Sequence, residues 1–238
     1  MTNYVLEFLG TLILILLGDG VCAATSLNKS KAQGAGWVVV AFGWGLAVMC
    51  GVFVAAPAGA HLNPAVSLAC ALNGTLAWVD FAGYVIAQML GAFCGACLVY
   101  AFYKDHYDAT PDGDTKLGTF CTAPAIRNSW RNVFCEFVAT WLLVFCVLAF
   151  GEGFNTPGVA AGHLGAFPVT FLIVAIGMSL GGATGYAINP ARDLGPRIAH
   201  AILPIKDKRD SDWGYSWVPV VGPLAGAAFA TLTYMLVF

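Results

Sequence analysis

The stretch GAHLNPAVS at residues 59–67 has a counterpart, GYAINPARD, at residues 185–193. Each places an asparagine, Asn63 or Asn189, directly before a proline. This pair is a strong signal for a helix start, because asparagine caps the first free N–H groups and proline at the first helical position gives up no hydrogen bond. About ten apolar or small residues follow, enough for about 15 Å of helix, or half of a bilayer core of about 30 Å. We therefore predict two half-length helices, at about 63–72 and 189–200, with N-termini inside a membrane.

The composition predicts a polytopic, all-α membrane protein. Of the 238 residues, 59% are hydrophobic and 10% are charged, whereas a soluble domain carries about 25% charged residues. The mean hydropathy is +0.76. The net charge of −2, without a dense basic cluster, gives no sign of nucleic-acid binding. The first apolar run lacks a basic leader, so we expect a membrane span rather than a cleaved signal. Six runs are long enough to span, at about 4–26, 35–56, 78–102, 130–150, 167–184 and 217–238.

The two halves of the chain repeat each other. The segment EFLGT from Glu7 matches EFVAT from Glu136, and QMLGA from Gln88 echoes PLAGA from Pro223. Each half has three full spans, an odd number, so the second half must insert upside down relative to the first. We expect one transmembrane domain over residues 1–238, with inverted repeats at about 1–103 and 129–238 joined by a polar loop at 104–128. This arrangement brings the two half-helix N-termini face to face near the midplane.

Nothing in the sequence has the spacing of a catalytic or metal site. Seven of the eight cysteines lie in apolar runs without a spaced histidine or acid, so we expect them to pack as small residues. Cys94 and Cys97 have redox spacing but fall within a span, and Cys121 has no partner in its loop. We predict no enzymatic activity, no cofactor and no metal.

The paired Asn-Pro-Ala motifs, the paired glutamates and the six spans together resemble the aquaporin superfamily (major intrinsic proteins) over the whole chain. Arg192 and Asp193 after the second motif are similar to the glycerol-facilitator branch. The resemblance implies an aquaporin-like right-handed bundle and a homotetramer with one pore per protomer. It also implies a multi-pass protein of the plasma membrane lipid bilayer, with both termini cytoplasmic. The implied function is passive diffusion of glycerol, water and other small neutral solutes, with protons and ions excluded.

The half-helices would form the centre of such a pore. The amides of Asn63 and Asn189 would offer hydrogen bonds to a neutral solute, while the two positive helix ends would repel cations and hydronium. Arg192 lies one turn past Asn189 and shares its face. A guanidinium at this depth costs at least about 2.5–3.5 kcal/mol unless it reaches water, which a pore supplies. The motifs are completed by Pro64, Ala65, Pro190 and Ala191, and the expected acceptor ladder consists of the carbonyls of Gly59, Ala60, His61, Gly185, Tyr186 and Ala187.

By resemblance, the narrowest ring of the pore joins Arg192 to Trp44, Gly177 and Tyr186. Glycerol-conducting relatives place aromatic residues at the Trp44 and Tyr186 positions and a small residue at the Gly177 position, where water-selective relatives usually have histidine. Tyr186 stands where phenylalanine is usual, so its hydroxyl either narrows the ring or adds a donor. The stretch between Trp44 and the first motif is one residue shorter than in these relatives, which leaves Gly43 as the alternative.

Three acids lie in the predicted membrane region. Glu7 and Glu136 fit either buried acceptors for loop N–H groups or a proton relay, and Asp193 is expected to pair locally or to cap the second half-helix. His61 is expected to be hydrogen-bonded beside the first motif rather than to gate the pore. Two other functions stay open: a channel tuned mainly to water or to another small neutral solute, such as urea or a protonated hydroxy acid, and an ion-coupled secondary transporter.

One signal opposes the orientation that the resemblance implies. The lysines and arginines outside the second half-helix fall in the connections on one side of the predicted bundle, and the positive-inside rule alone would place that side in the cytoplasm. These residues are Lys29, Lys31, Lys104, Lys116, Arg127, Arg131, Lys206, Lys208 and Arg209.

Overall fold

The computed structural model describes residues 1–155 and 164–238, and the regular elements of these residues are helices. A short 3-10 turn, Ala56–Ala58, follows the second helix. The helices are α1 Thr2–Ser26, α2 Trp37–Ala55, α3 Pro64–Leu72, α4 Trp78–Phe102, α5 Lys104–Ala109, α6 Gly113–Gly118, α7 Ser129–Asn155, α8 Phe167–Ser179, α9 Pro190–Ile202 and α10 Val218–Val237.

Five helices of the described residues are long and apolar enough to cross a membrane: α1, α2 with its 3-10 turn, α4, α7 and α10. The predicted span at about 167–184 corresponds to α8, a shorter apolar helix of 13 residues. It ends at Ser179 rather than at the predicted 184, because the N–H groups of Leu180 and Gly181 both bond to the carbonyl of Ile176, at 2.8 and 3.1 Å. The predicted all-α, multi-pass membrane fold is confirmed, with this one span shorter than expected.

Both half-length helices begin at the proline of their motif. α3 has 9 residues and α9 has 13, which correspond to about 14 and 20 Å of helix. Asn63 caps α3 by accepting the N–H of Ala65, and Asn189 caps α9 by accepting the N–H groups of Ala191 and Arg192. Neither helix is long enough to cross a bilayer core of about 30 Å, so each enters the membrane region without spanning it.

The helices pack in two similar sets that exchange their half-length helices. α1 packs against α4 in the first half, and α7 packs against α10 in the second. Glycines make these crossings close: a Cβ on Gly91 would lie 2.3 Å from the carbonyl oxygen of Phe8, and one on Gly226 would lie 2.4 Å from that of Phe137. α3 packs against α10, whereas α9 packs against α4. Each half-length helix therefore rests mainly on the last span of the opposite half.

The segment at 104–128, predicted as a polar loop, contains the short helices α5 and α6. Asp112 caps α6 by accepting the N–H of Thr115 at 2.8 Å, a local signal that the proline, glycine and aspartate content of the segment obscured. Ion pairs Arg209–Asp114 and Arg127–Asp212 join this segment to the connection between α9 and α10. The hydrogen bond to Asp212 raises the pKa of the Arg127 guanidinium.

Candidate functional site

Asn63 and Asn189 lie head to head where the two half-length helices meet. The Asn63 Nδ2 donates to the carbonyl of Ile188 at 2.7 Å, and the Asn189 Nδ2 donates to the carbonyl of Leu62 at 2.8 Å. Each amide thus bonds to the residue just before the other asparagine, while its oxygen caps its own helix. Since a carboxamide has two N–H groups and one is used here, each asparagine retains one donor.

Two buried glutamates support the backbone that leads into the half-length helices. The carboxylate of Glu7 accepts the N–H groups of His61 and Leu62 at 2.7 and 2.8 Å. Gln88 donates to the same carboxylate at 2.8 Å. Glu136 has no exposed surface, and its carboxylate accepts the N–H groups of Ala187 and Ile188. The hydroxyl of Thr184 also donates to it at 2.6 Å.

The backbone that these glutamates hold is unusual in the same way in both halves. Ala60 and Leu62 have φ values of 51° and 53°, and Tyr186 and Ile188 have values of 40° and 43°. Non-glycine residues rarely adopt positive φ, and such strain persists only where the surroundings enforce it. The bonds to Glu7 and Glu136 supply that constraint. These two leading segments, residues 59–62 and 185–188, are therefore fixed in shape rather than left as irregular loops.

A cavity of about 210 Å³ runs along these segments. A buried water needs about 10–15 Å³ of such space, so the cavity has room for several. Its polar lining includes Asn63, Asn189, Arg192 and the residues of the two leading segments apart from Gly185. The apolar lining consists of Leu14, Val48, Val52, Val66, Leu143, Val147, Val169 and Ile173. Part of the lining can thus form hydrogen bonds while the rest cannot.

Arg192 lines this cavity although only 7% of its surface is exposed. Its guanidinium carbon lies 4.1 Å from the centroid of the Trp44 ring, within the range of a cation–π contact. Its Nη1 donates to the carbonyl of Phe120 at 3.2 Å and lies 3.6 Å from a carboxylate oxygen of Asp19. A guanidinium has five N–H donors, so this environment leaves donors for a solute.

Trp44, and not Gly43, lies beside Arg192. The Trp44 indole donates to the sulfur of Cys22 at 3.4 Å, and the ring packs against Gly18, where a Cβ would come within 2.2 Å of it. A Cβ on Gly43 would instead meet Val21 at 2.7 Å. The two positions therefore face different parts of α1, and only Trp44 lines the cavity.

Gly177 lies under the ring of Tyr186 and is not part of the cavity lining. A Cβ at this position would lie 2.8 Å from both Cζ and the hydroxyl oxygen of Tyr186. Trp37 meets the same ring edge-on, with centroids 5.8 Å apart, and donates its indole N–H to the carbonyl of Gly177 at 2.8 Å. The hydroxyl of Tyr186 is buried and has no hydrogen-bond partner among the described residues. The small residue thus makes room for the aromatic ring.

Asp193 and His61 bond to neighbouring protein groups. One carboxylate oxygen of Asp193 accepts the N–H and the hydroxyl of Thr122, at 2.8 and 2.7 Å. The other oxygen accepts the Arg197 Nε at 2.9 Å, and this ion pair is fully buried. His61 lines the cavity, and its Nδ1 lies 3.1 Å from the hydroxyl of Ser67. Asp193 therefore ties α9 to the segment that follows α6.

Three groups that contact this site, Phe120, Arg197 and Asp19, are not among the predicted site residues. Phe120 contributes only its backbone, which no motif could reveal, and Arg197 holds Asp193 from one turn further along α9. Asp19 could have been found, because it is an acid within an otherwise apolar run, between Gly18 and Gly20. Ionisable residues inside a membrane span are rare and usually functional. Within residues 1–155 and 164–238, no three histidine, cysteine or acidic side chains form a group that could hold a metal ion.

Comparison with known proteins gives a consistent result along the whole chain. The family described as major intrinsic protein matches residues 1–234. A probable glycerol uptake facilitator protein of Thermotoga maritima is 50% identical over 239 residues, covering 100% of both chains. Glycerol uptake facilitator protein 3 of Lactiplantibacillus plantarum is 53% identical over 229 residues, covering 96% of this chain and 93% of the relative. The X-ray structure of the aquaglyceroporin from Plasmodium falciparum superposes with a TM-score of 0.86 at 32% identity, covering 99% of this chain and 95% of that one.

Proposed function

The chain belongs to the major intrinsic protein family, and on this premise we propose that it is a passive channel for glycerol, water and other small neutral solutes. It is a membrane channel rather than an enzyme. Relatives about 50% identical over essentially the whole chain are glycerol uptake facilitators, and the similar solved structure is an aquaglyceroporin. The observation that carries the proposal is the reciprocal pair of Asn63 and Asn189 beside a continuous lining of fixed backbone.

A solute would pass the centre by exchanging hydrogen bonds with these two amides. The remaining N–H of each asparagine donates to a hydroxyl or to water, and the carbonyls of the two leading segments accept in turn. Of the expected acceptors, Gly59, Ala60, His61, Tyr186 and Ala187 line the cavity and form this ladder, whereas Gly185 does not line it. Because Glu7 and Glu136 fix these segments, the acceptors need no reorganisation as a solute moves. Passage is then rapid and requires no conformational cycle.

Charged species would be rejected at the same point. The N-termini of α3 and α9 converge at the two asparagines, and each carries about half a positive charge from its helix dipole. A cation or hydronium ion therefore meets an unfavourable electrostatic potential at this point, whereas a neutral solute meets hydrogen-bond donors. An anion loses its hydration shell against the apolar wall of the cavity. The same geometry thus selects for neutral molecules of either kind, polyol or water.

We assign the selectivity filter to Trp44, Tyr186 and Arg192, with Gly177 setting the position of the Tyr186 ring. Two aromatic rings pack against the carbon skeleton of a polyol, and the guanidinium donates to its hydroxyl groups. The contact of Arg192 with Trp44 keeps the guanidinium next to one of the two aromatic rings of the filter. This combination favours a solute with an apolar face and a row of hydroxyls.

Stopped-flow light scattering of proteoliposomes tests the function directly. Vesicles that contain the purified chain should shrink and then reswell in a glycerol gradient, but only shrink in sucrose. Protein-free vesicles of the same lipid supply the baseline. Reswelling in glycerol at the protein-free rate would overturn the glycerol assignment. Rapid water exit without glycerol entry would favour a channel tuned to water.

The ion-coupled transporter is the weaker alternative. Each buried glutamate that could relay protons already accepts three hydrogen bonds from protein groups. A proton taken up there would weaken these bonds, because hydrogen bonds to a neutral carboxyl are weaker than those to a carboxylate, and would loosen the backbone that forms the cavity. A transporter would accumulate glycerol under an imposed pH gradient, whereas a channel only equalises its concentration. Radiolabelled glycerol uptake with and without the gradient separates the two.

We also propose the plasma membrane as the location, with both termini cytoplasmic. Several of the cations that oppose this orientation bond to protein groups. Arg127 and Arg209 pair with Asp212 and Asp114, while Lys208 donates to three carbonyls at the end of α9. Burial lowers the pKa of the Lys208 ammonium. A C-terminal reporter that is active only in the cytoplasm should be active, and an inactive reporter would reverse the orientation.

The homotetramer and the inverted repeat complete the proposal. α3 of the first half packs against α10 of the second, and α9 of the second half packs against α4 of the first. This exchange supports a repeat over about 1–103 and 129–238. Native mass spectrometry of the detergent-solubilised protein should give four copies, each with its own cavity. A monomer under conditions that preserve glycerol flux would remove the tetramer from the proposal without affecting the channel.

A further inference from the structure

A buried carboxylate lies beside the filter, on a helix that contributes no other charge there. Asp19 is in α1 between two glycines, and 1% of its surface is exposed. Neither of its carboxylate oxygens has a hydrogen-bond partner among the described residues. The other buried acids of the site, Glu7, Glu136 and Asp193, each accept at least three hydrogen bonds. Asp19 therefore differs from these three acids, because no hydrogen bond from the described residues stabilises its carboxylate.

The cation that faces Asp19 is Arg192. The distance from its Nη1 to the nearer Asp19 oxygen is 3.6 Å, too long for a strong hydrogen bond but within ion-pair range. The nearby Asp193 is already bonded to Arg197 and Thr122, so it does not compete for the guanidinium. Cys22 lies one turn along α1 and bonds to Trp44. Arg192 is thus held from three directions, by the Trp44 ring, the Phe120 carbonyl and the Asp19 carboxylate.

Each of the two charges makes the burial of the other tolerable. An isolated ionised group in a protein interior is strongly unfavourable, and removing one partner of a buried pair is more damaging than removing both. Asp19 has no hydrogen bond to offset its desolvation, so its stability depends on Arg192. Conversely, the cation–π contact and a single carbonyl offset only part of the charge on Arg192.

We propose that Asp19 is the counter-ion of Arg192 and acts as a positioning and charge-selecting residue of the pore. It orients the guanidinium across the Trp44 ring and cancels its net charge, so that the filter presents donors without an excess positive potential. The charge-selection part rests on the proposed channel function, whereas the pairing itself does not. Replacing Asp19 would leave a filter that is net positive, and replacing Arg192 would leave one that is net negative.

A double-mutant cycle in the full-length protein tests the pairing. The variants are Asp19→Asn, Arg192→Met and the combination of both, compared by thermal denaturation in detergent. Arg192→Met should lower Tm by about 6 °C or more, because it leaves the carboxylate buried without a partner. Adding Asp19→Asn to it should recover most of that loss. Drops in Tm that simply add up in the double variant would overturn the pairing.

Thr11→Val supplies the matched control. Thr11 is a buried polar residue of the same helix, about 12 Å from Asp19 along the axis, and its hydroxyl also has no hydrogen-bond partner among the described residues. Combined with Arg192→Met, it should give an additive change in Tm. A recovery as large as that from Asp19→Asn would mean that removing any polar group from α1 stabilises the protein, and would overturn the specific pairing.

Ion permeation tests charge selection in proteoliposomes or planar bilayers. Asp19→Asn should shift the nitrate-to-potassium permeability ratio toward nitrate by about tenfold or more, since an unbalanced charge a few ångströms away changes an ion's energy by several RT. Arg192→Met should shift it toward potassium, and the double variant should return it toward the wild-type value. Equal ratios in all four proteins would overturn this part. Because the Tm cycle does not depend on glycerol flux, failure of the channel function would not be mistaken for failure of the pairing.

Discussion

Asn63 and Asn189 exchange hydrogen bonds across the two halves of the chain, each amide donating to the carbonyl that precedes the other asparagine. Each residue therefore has two tasks, to cap its own helix and to hold the opposite one in register. Alanine would remove both tasks at once, so aspartate is the more informative substitution: it still accepts the capping N–H but cannot donate.

Asn63→Asp and Asn189→Asp should each lower glycerol flux by about tenfold or more, the equivalent of about 1.4 kcal/mol. A carboxylate oxygen would replace the donor opposite a carbonyl, so these two oxygens would repel each other and the hydrogen bond between the halves would be lost. The measurement is stopped-flow reswelling in glycerol, together with a pH-sensitive dye to detect proton entry.

Asn73→Asp is the control for this pair. Asn73 follows α3 and uses its side-chain oxygen as an acceptor for Thr75, a bond that aspartate preserves. Its flux should equal that of the wild type. Flux within about twofold of the wild type in both motif variants would contradict the assigned role of the amides, since one lost hydrogen bond already corresponds to a larger change.

Gly177→Ala should reduce glycerol flux severalfold more than water flux. The added methyl would come 2.8 Å from the Tyr186 ring, and such overpacking typically costs about 1–3 kcal/mol unless the neighbour moves. Because Trp37 lies on another side of that ring, the relief is toward the cavity. The larger Gly177→His change should abolish most glycerol entry while water still passes.

Gly182→Ala is its control, because a Cβ at Gly182 would meet nothing within 4 Å. Both solutes should cross this variant as in the wild type. An unchanged glycerol-to-water ratio in Gly177→Ala would show that the ring does not border the conducting path.

Tyr186→Phe should raise Tm by about 2–4 °C, as expected for the removal of a buried hydroxyl whose desolvation costs about 1 kcal/mol. The hydroxyl lies against Gly177 and has no hydrogen-bond partner among the described residues, so its loss should leave glycerol flux within about twofold. Differential scanning fluorimetry and stopped-flow reswelling measure the two quantities. A large loss of flux or a lower Tm would show that the hydroxyl bonds to the solute or to water in the pore.

Glu136→Gln should destabilise the protein by about 1–3 kcal/mol, because the new amide N–H₂ would face N–H groups that the carboxylate now accepts. Glycerol flux should fall because the backbone that lines the cavity is no longer fixed. Glycerol uptake should not depend on a proton gradient in either the wild type or the variant. Asp105→Asn, at an exposed position in α5, should change neither quantity. Proton-dependent accumulation in the wild type that disappears in Glu136→Gln would instead favour a transporter.

The sequence was most informative where local chemistry and global fold agree. Asn-Pro at 63–64 and 189–190 predicted both helix starts, because capping and the fixed φ of proline act within a few residues. The repeated glutamates marked matching positions in the two halves. The end of α8 was less predictable, because apolar and small residues continue past Ser179, and the helix ends where the N–H of Gly181 also bonds to the carbonyl of Ile176.

The site itself depended more on tertiary contacts. The proximity of Trp44 to Arg192 followed from a resemblance, but the packing of Tyr186 onto Gly177 could not be read from either residue alone. Phe120 reaches Arg192 through its backbone, which carries no residue signature. Asp19 was visible in the sequence, yet its significance appears only when the fold brings its carboxylate within ion-pair distance of Arg192.

The exchanged half-length helices bear on how the polypeptide is built into the bilayer. α3 rests on α10, which comes after all the other described helices in the chain, so when α3 is synthesised the first Asn-Pro turn has neither the helix it packs against nor the opposite asparagine. The second half-length helix, in contrast, packs against α4, which precedes it in the chain. The contacts of the first Asn-Pro turn can therefore be completed only after α10 has entered the bilayer.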